Sequence, residues 1–355
     1  MTGVLPAQAI RSMTADGGIS AAHTIQESQI QPASLDLRIG AKAHRIRASF
    51  LTGSHLTVHE SIESFGMHTI DLATSAVLEK GCVYLVELQE RLRLPEDIHA
   101  AANAKSSTGR LDILTRLLVD RGIEFDRVEL GYSGPLYAEI CPRSFSIALR
   151  TGSLLNQLRF RRGNPLLSDS EILELNESEM LVPDIPHVDQ GLAFSVDLDR
   201  GHQPAGYRAK PHAGIIDIDA VASCQVEDFW EPVYATDKQL ILDPDSFYIL
   251  VSNENVRIPP GHAAEMMPYI AMIGEFRVHY AGFFDPGFGW DADGKTRSRA
   301  VLEVRCHEVP FVLQHGQQVG RLCFERMAEI PDRVYGANSN YQGQSLKLSK
   351  HFLAP

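Results

Sequence analysis

The chain has 355 residues, which indicates about two domains, because one hydrophobic core rarely serves so long a chain. Its formal net charge of −12, from 33 basic and 45 acidic residues, argues against a protein that binds a nucleic acid polymer through a basic surface. The five scattered cysteines include no C-x-x-C pair and argue against a disulfide framework or a structural zinc site, and no segment resembles a signal peptide or a membrane span, so we expect a cytoplasmic protein with no membrane partner.

The predicted elements are mostly short strands separated by Gly and Pro residues. Residues 6–20 are predicted to form a short helix, and residues 30–40 form a half-buried strand in which polar and apolar side chains alternate. Further strands are predicted at Cys82–Leu88, Leu136–Ile140 and Ser146–Leu149, and further helices at Arg110–Leu118 and Ser168–Leu181. Many short strands with little helical periodicity indicate a mainly β fold of the sandwich or barrel type.

One stretch of the chain combines cations, hydroxyls and glycine, namely Lys105-Ser106-Ser107-Thr108-Gly109-Arg110. A guanidinium fork, an ammonium group, hydroxyls and loop N–H groups together suit a polyphosphate. The alternative for this stretch taken alone is an ordinary charged turn on the surface.

The chain also repeats itself with a constant offset in sequence position. The matching positions, all separated equally, are Pro95 and Pro259, Glu139 and Glu303, Gly152 and Gly316, and Phe160 and Phe324. Ser34 has a looser counterpart in Ser195, at a slightly smaller separation. A fixed offset through separate landmarks predicts duplication of a whole domain, with units at residues 1–164 and 165–355.

The two copies have diverged in a complementary way. The second copy has no cluster of cations and hydroxyls at 269–274, the positions that correspond to 105–110. It carries instead the sequence Ala281-Gly282-Phe283-Phe284-Asp285-Pro286-Gly287-Phe288, whereas the first copy has Gly134-Pro135 in place of Asp285-Pro286. Each copy is therefore predicted to retain a different part of one site.

These motifs, taken in order, resemble the dCTP deaminase branch of the trimeric dUTPase superfamily. Pro32–Arg38 is similar to the family's first strand motif, the stretch 105–110 to its phosphate-binding loop, and 281–288 to its base-binding hairpin, while Tyr341-Gln342-Gly343-Gln344 is similar to its C-terminal closing segment. The resemblance covers nearly the whole chain. It implies a mainly β fold of two tandem dUTPase-like distorted β-barrel (β-clip) units with a few short helices.

The resemblance also implies an activity and a set of residues. It implies hydrolysis of dCTP to dUTP and ammonia, with Glu303 as general acid and base and Glu139 as the second candidate. The implied nucleotide-binding residues are Lys105, Ser106, Ser107, Thr108, Gly109, Arg110, Ala281, Gly282, Asp285, Val301, Leu302, Tyr341, Gln344 and Lys347. Mg²⁺ is expected with the triphosphate, and zinc is not, because the H-x-E and P-C-x-x-C pairing of zinc deaminases is missing. Expected partners are dCTP and dUTP, dTTP as a regulator, and further copies of this chain in a homo-oligomer with trimer-like packing of the units.

Several alternatives stay open at this point. Either glutamate could be an ordinary paired strand carboxylate, Asp285 could be a turn residue, and the tail could be a disordered terminus. A dUTPase-type pyrophosphatase, alone or as a second activity, is the first rival function, with Glu129 and Tyr132 approximating its motif. A non-catalytic nucleotide-binding homologue is the second rival.

Overall fold

The structure, a computed structural model, describes residues 1–268, 276–278, 282–291, 293, 296–306, 308–336 and 339–353. Strands predominate over helices among these residues, which confirms the predicted mainly β fold class. The helices are α1 (Ala7–Ala15), α2 (Val58–Phe65), α3 (Ser106–Gly109), α4 (Asp169–Glu179) and α5 (Val226–Phe229), with a 3₁₀ turn at Glu27–Gln29. Within the described ranges, none of these helices is long and apolar enough to cross a membrane.

The first half of the chain denotes residues 1–164 and the second half residues 165–355, a boundary that stays a prediction. Strands of the first half are β1 (Gly3–Val4), β2 (Ile19–Ala21), β3 (Leu35–Ile46), β4 (Gly66–Asp71), β5 (Ala76–Leu78), β6 (Val83–Arg93), β7 (Ile98–Ala104), β8 (Ile113–Val119), β9 (Arg127–Val128), β10 (Ser133–Pro142), β11 (Ile147–Leu149) and β12 (Leu154–Arg162). Strands of the second half are β13 (Leu192–Ser195), β14 (Gly206–Ala209), β15 (Ile216–Asp217), β16 (Trp230–Val233), β17 (Gln239–Leu242), β18 (Phe247–Val256), β19 (His262–Pro268), β20 (Phe276–Val278), β21 (Phe283–Phe284), β22 (Ser298–Cys306), β23 (Phe311–Gln314) and β24 (Gln318–Arg326).

The largest sheet lies in the first half and has the strand order β8-β10-β6-β3-β12-β7-β9. Since β7 also contacts β8 at the opposite end of this order, the sheet is nearly closed into a barrel. In the second half, β16-β14-β18-β22-β20 and β13-β24-β19-β21 form the two main sheets. A parallel pairing of β11 with β15 joins the two halves.

Most predicted elements are confirmed, and one is wrong. The helices predicted at 6–20 and 168–181 correspond to α1 and α4, and the Ser168 side chain caps the first turn of α4. The predicted helix at Arg110–Leu118 is wrong, because Ile113–Val119 is strand β8 and pairs with β10 along its whole length. Leu and Ile suit both kinds of element, and here the long-range pairing with β10 decides the conformation.

The constant offset between the copies recurs in the strand bounds. Strand β19 begins and ends at the same number of residues after β7 as β24 does after β12. Glu139 and Glu303 are separated by this same number of residues. The looser match of Ser34 with Ser195 is wrong. Arg38 of β3 pairs with Leu154, and Ser195 of β13 pairs with Gln318, which is the counterpart of Leu154 at the constant offset. Ser195 therefore takes the position of Arg38 and not of Ser34, because the neighbouring strand, and not the local alternation, sets the register.

The main hydrophobic core extends across the junction between the halves. Phe145 of the first half packs edge-on against Trp230, with ring centroids 5.4 Å apart. Phe352, near the C-terminus, packs against Trp230 from another side at 5.9 Å and against Phe229 at 5.6 Å. The aromatic contacts thus join Phe145 of the first half and Phe352 of the tail to the same pair of second-half rings, Phe229 and Trp230.

Candidate functional site

A cavity of about 350 Å³ lies between the two halves. The predicted site residues that line it are Lys105, Ser106, Ser107, Gly109, Arg110, Gly282, Asp285, Val301, Glu303, Tyr341 and Gln344. They come from the loop after β7, from the segment around β21, from β22 and from the C-terminal tail. The cavity therefore combines the loop at 105–110 of the first half with Asp285 and Glu303 of the second.

Five predicted residues are not among these walls. Thr108 is buried inside the turn of α3, and Leu302 points into the core of the second half. Glu139 and Lys347 lie elsewhere, as described below, and Ala281 lies outside the described residues. Leu302 turns away because side chains alternate along a strand, so that its neighbours Val301 and Glu303 face the cavity.

Arg110 lines the cavity and connects residues of its different walls. Its Nη1 donates to the carbonyl of Lys347 at 2.9 Å, and its Nη2 donates to Gln344 Oε1 at 3.0 Å. Its guanidinium lies 3.8 Å from the ring centroid of Tyr341, in cation–π geometry. Its Nε is 3.9 Å from Glu303 Oε1. Arg110 thus joins the loop of the first half to the tail and to the predicted catalytic carboxyl.

Glu303 is buried, with 5% of its surface exposed. Burial raises the pKa of its carboxyl to about 8, and the nearby Arg110 opposes this rise only in part. The carboxyl therefore holds its proton at neutral pH and can donate it to a base placed in the cavity.

Lys105, another residue of the cavity wall, forms an ion pair with Asp36, which comes from β3. Gln31 Nε2 also donates to Asp36 Oδ2 at 3.1 Å. Burial raises the pKa of Asp36, and Lys105 opposes the rise. Asp36 Oδ1 is buried and has no hydrogen-bond partner among the described residues. The cavity wall therefore contains an ion pair and, on the same carboxylate, an oxygen with no partner among the described residues.

Asp285 directly follows β21, and its carboxylate forms an ion pair with an arginine of the first half. Arg159 of β12 is fully buried and contacts Asp285 Oδ1 at 3.3 Å and Glu325 Oε2 at 3.0 Å. Its guanidinium also lies 4.1 Å from the ring centroid of Phe283. Burial raises the pKa of Asp285, with Arg159 opposing the rise. The side chain of Asp285 is thus fixed at the cavity wall by a contact between the halves.

The C-terminal tail lies across the cavity. Tyr341 and Gln344 are buried, and Gln344 Nε2 donates to the carbonyl of Arg299 at 3.0 Å. Lys347 is not among the residues that line the cavity, and its ammonium donates to the carbonyl of Asn340 at 2.6 Å. Lys347 therefore contributes its backbone carbonyl, which accepts from Arg110, to this arrangement.

Glu139 lies inside the first half and away from the cavity. Its carboxylate pairs with Arg116, whose guanidinium lies 3.7 Å from the ring centroid of Phe125. Arg116 Nη2 also donates to Ser49 Oγ at 2.8 Å. The structure brings Glu303, and not Glu139, together with the loop at 105–110.

Sequence reasoning missed residues that line the cavity from distant parts of the chain. Asp36 belongs to a motif that predicts a strand and not a site residue, while Lys350 and Tyr335 carry no local signal at all. The described residues contain no group of three or more His, Cys, Asp or Glu side chains that could hold a metal ion. The predictions on magnesium and zinc stay predictions.

Comparison with known proteins identifies two matching family models that together cover most of the chain. The model for the "2'-deoxycytidine 5'-triphosphate deaminase (DCD) N-terminal domain" matches residues 1–164, and that for the "2'-deoxycytidine 5'-triphosphate deaminase (DCD), C-terminal domain" matches residues 168–352. The crystal structure of 2'-deoxycytidine 5'-triphosphate deaminase from Agrobacterium tumefaciens is similar, with a TM-score of 0.90 and 54% identity over 93% of this chain and 97% of that one.

Shorter relatives match about half of this chain. A protein named "dCTP deaminase, dUMP-forming" from Methanosphaera stadtmanae is 28% identical over 190 residues, which are 51% of this chain and 90% of the relative. A protein of the same name from Nocardioides sp. is 30% identical over 187 residues, which are 50% of this chain and 91% of the relative.

Proposed function

Because the chain belongs to the 2'-deoxycytidine 5'-triphosphate deaminase family, we propose that it hydrolyses the amino group from the base of dCTP, giving dUTP and ammonia. The observation that carries this proposal is the buried carboxyl of Glu303, which holds a proton at neutral pH and lies 3.9 Å from Arg110 in the cavity between the halves. A cytosine needs such a proton donor at its ring nitrogen before water can add to C4.

The residues that line the cavity suit both parts of the nucleotide. Lys105, Ser106 and Ser107 suit phosphate oxygens, because an ammonium group and hydroxyls donate to them. Glu303 and Asp285 suit a polar base and sugar. The Tyr341–Gln344 part of the tail closes the cavity from outside and limits the access of bulk water to the base.

We propose that Glu303 carries each proton of the reaction. Its carboxyl first donates to N3 of cytosine, which makes C4 more electrophilic. The resulting carboxylate takes a proton from the water that adds to C4, and then passes that proton to the amino group. The C4–N4 bond breaks, ammonia leaves, and the proton of the new hydroxyl returns to Glu303. The base ends as uracil, the carboxyl ends protonated, and the proposal requires no metal at the base.

Magnesium enters this proposal only as part of the substrate complex, bound to the triphosphate. Asp36 Oδ1 could accept a hydrogen bond from water on that ion, since this oxygen is free of partners among the described residues. dTTP would reach the same phosphate-binding loop and is proposed as a regulator. Homo-oligomer formation and a cytoplasmic location also stay proposals.

Formation of dUMP is the second candidate function, because several relatives are named as dUMP-forming. Hydrolysis of dUTP to dUMP and pyrophosphate needs a carboxylate that takes a proton from water at the α-phosphate. Glu129 and Tyr132, the residues expected for this role, do not line the cavity, whereas Asp36 does. Its unpartnered Oδ1 is therefore the candidate acceptor.

The test is an incubation of the purified protein with dCTP and Mg²⁺, with products separated by anion-exchange chromatography. We expect uracil nucleotides from the wild type and from Glu139→Gln, and almost none from Glu303→Gln. A parallel incubation with dUTP tests the second function, in which Asp36→Asn should block dUMP formation while Glu303→Gln should not. Intact dCTP after incubation with the wild type would reject the deaminase assignment, and activity retained by Glu303→Gln would reject its role.

A further inference from the structure

The last residues of the described chain are docked on residues of both halves. Ser349 Oγ donates to the carbonyl of Ser107 at 2.8 Å, and His351 Nε2 lies 2.9 Å from the carbonyl of Ile218. Ser349 and His351 are 3% and 1% exposed. Both sequence neighbours of Lys350 are therefore anchored.

Lys350 is held at the wall of the cavity by this anchoring. Its carbonyl accepts from the N–H of Ala222 at 3.0 Å, so its backbone position is fixed, and its side chain lines the cavity. Burial and the neighbouring Lys105 lower the pKa of Lys350, while Asp219 and Asp36 oppose this only in part. Within the described part of the chain, no carboxylate lies within 4.0 Å of its ammonium group.

The cations of the cavity differ in how far they are already neutralised. Lys105 is paired with Asp36, and Arg110 is engaged by the tail and lies beside Glu303. Lys350 has no such partner among the described residues, lines the same cavity and lies near Lys105. A half-buried cation without a counter-ion, placed beside a second cation, costs free energy that a bound polyanion would recover.

We propose that Lys350 binds the terminal phosphates of the nucleotide, as a cation that the docked end of the chain supplies to the phosphate loop. The proposal rests on the proposed function, since it assigns a further substrate-binding residue to the same cavity. Nothing in the family-like motifs of the tail points to Lys350. Lys347, the lysine predicted from those motifs, is not among the lining residues, and its ammonium donates to the carbonyl of Asn340 instead.

The test is a calorimetric titration of the full chain with dCTP and with dCMP in the presence of Mg²⁺. Lys350→Gln should weaken dCTP binding about tenfold, the loss expected for one charge-assisted contact, and should leave dCMP binding unchanged. Lys350→Arg should restore most of the dCTP affinity. Lys80→Gln, which removes an exposed lysine, is the matched control and should bind like the wild type.

The outcomes separate this inference from the proposed function. A dCTP affinity within twofold of the wild type in Lys350→Gln would overturn it. Equal weakening of dCTP and dCMP would also overturn it, since that result indicates a structural role for the lysine. Failure of the wild type to deaminate dCTP would reject the proposed function alone, because the titrations report on binding whether or not the nucleotide is turned over.

Discussion

Asp112 and Arg305 form a buried ion pair that joins the two halves beside the cavity. Asp112 follows the loop at 105–110 by two residues, and Arg305 follows Glu303 by two residues on the same face of β22. Ser144 Oγ also donates to Asp112 Oδ2 at 2.6 Å. The backbone of Asp112 has φ +56°, a left-handed conformation that costs energy for a residue with a side chain. The ion pair thus compensates local strain and fixes Arg110 relative to Glu303.

We expect Asp112→Asn to destabilise the protein by about 3 kcal/mol, because it leaves the guanidinium of Arg305 buried without its counter-ion. Urea denaturation measures the loss. Asp237→Asn is the matched control, since Asp237 also has a left-handed backbone, φ +51°, but is exposed. A loss no greater than that of the control would show that the pair contributes little to joining the halves.

Glu303→Gln should lower kcat for dCTP by at least about 100-fold, because glutamine cannot donate and recover the protons of the reaction. Its affinity for dCTP should stay close to that of the wild type, since the amide keeps the size of the carboxyl. Rapid-quench kinetics and dCTP titration together measure both quantities. Equal losses in kcat and in affinity would indicate a binding role instead.

The stability of the protein should depend on pH through Glu303. Its pKa is raised from 4.5 in the unfolded chain to about 8 in the folded protein, so the folded state holds a proton that the unfolded chain has released. The free energy of unfolding should therefore fall as the pH rises from about 4.5 to about 8. Urea denaturation of the wild type and of Glu303→Gln across this range measures the effect. The free energy of unfolding of Glu303→Gln relative to that of the wild type should increase with pH and level off above about pH 8. A difference that stays constant across this range would contradict the prediction.

The activity should change over the same upper range of pH. If the protonated carboxyl of Glu303 donates to N3 first, kcat/KM for dCTP should be highest below its pKa of about 8 and fall above it. Initial rates across this range, with saturating Mg²⁺, test the prediction. A rise of kcat/KM through pH 8 would mean that the ionised form starts the reaction.

Arg110→Lys should loosen the tail while keeping the positive charge. Lysine cannot donate simultaneously to the Lys347 carbonyl and Gln344 in the planar geometry of arginine. Trypsin should then cleave after Lys347 faster than in the wild type, as mass spectrometry of the released C-terminal peptide would show. Arg116→Lys, which changes an arginine paired with Glu139 away from the cavity, is the control and should leave this cleavage rate unchanged.

Local patterns predicted much of the fold and of the cavity. The motif residues around 105–110, Asp285, Glu303 and the tail can be assigned from the sequence, and their side chains or backbones meet in one place. The alternation of apolar and polar residues indicates strands, but it does not separate a strand from a helix at 110–118. Short elements of this kind depend on their partners in the sheet.

The remaining features depend on contacts between residues far apart in the chain. Asp112 and Arg305 are separated by 193 positions, and nothing around either residue indicates the other. The same holds for Lys350, whose neighbours in the structure are Lys105 and Asp36. Sequence spacing also does not reveal that Leu302 points away from the cavity between Val301 and Glu303, because that depends on which face of β22 meets the first half.

Because the cavity lies between two halves of one polypeptide, dilution of the protein does not separate its walls. When the parts of a site belong to separate chains, lowering the protein concentration separates them by mass action. Here the loop at 105–110 and the strand that carries Glu303 are covalently linked, so their effective concentration is set by the fold and does not change with the amount of protein in solution. The contacts between Arg110 and Glu303 therefore persist at enzyme concentrations at which a site assembled from separate chains would fall apart.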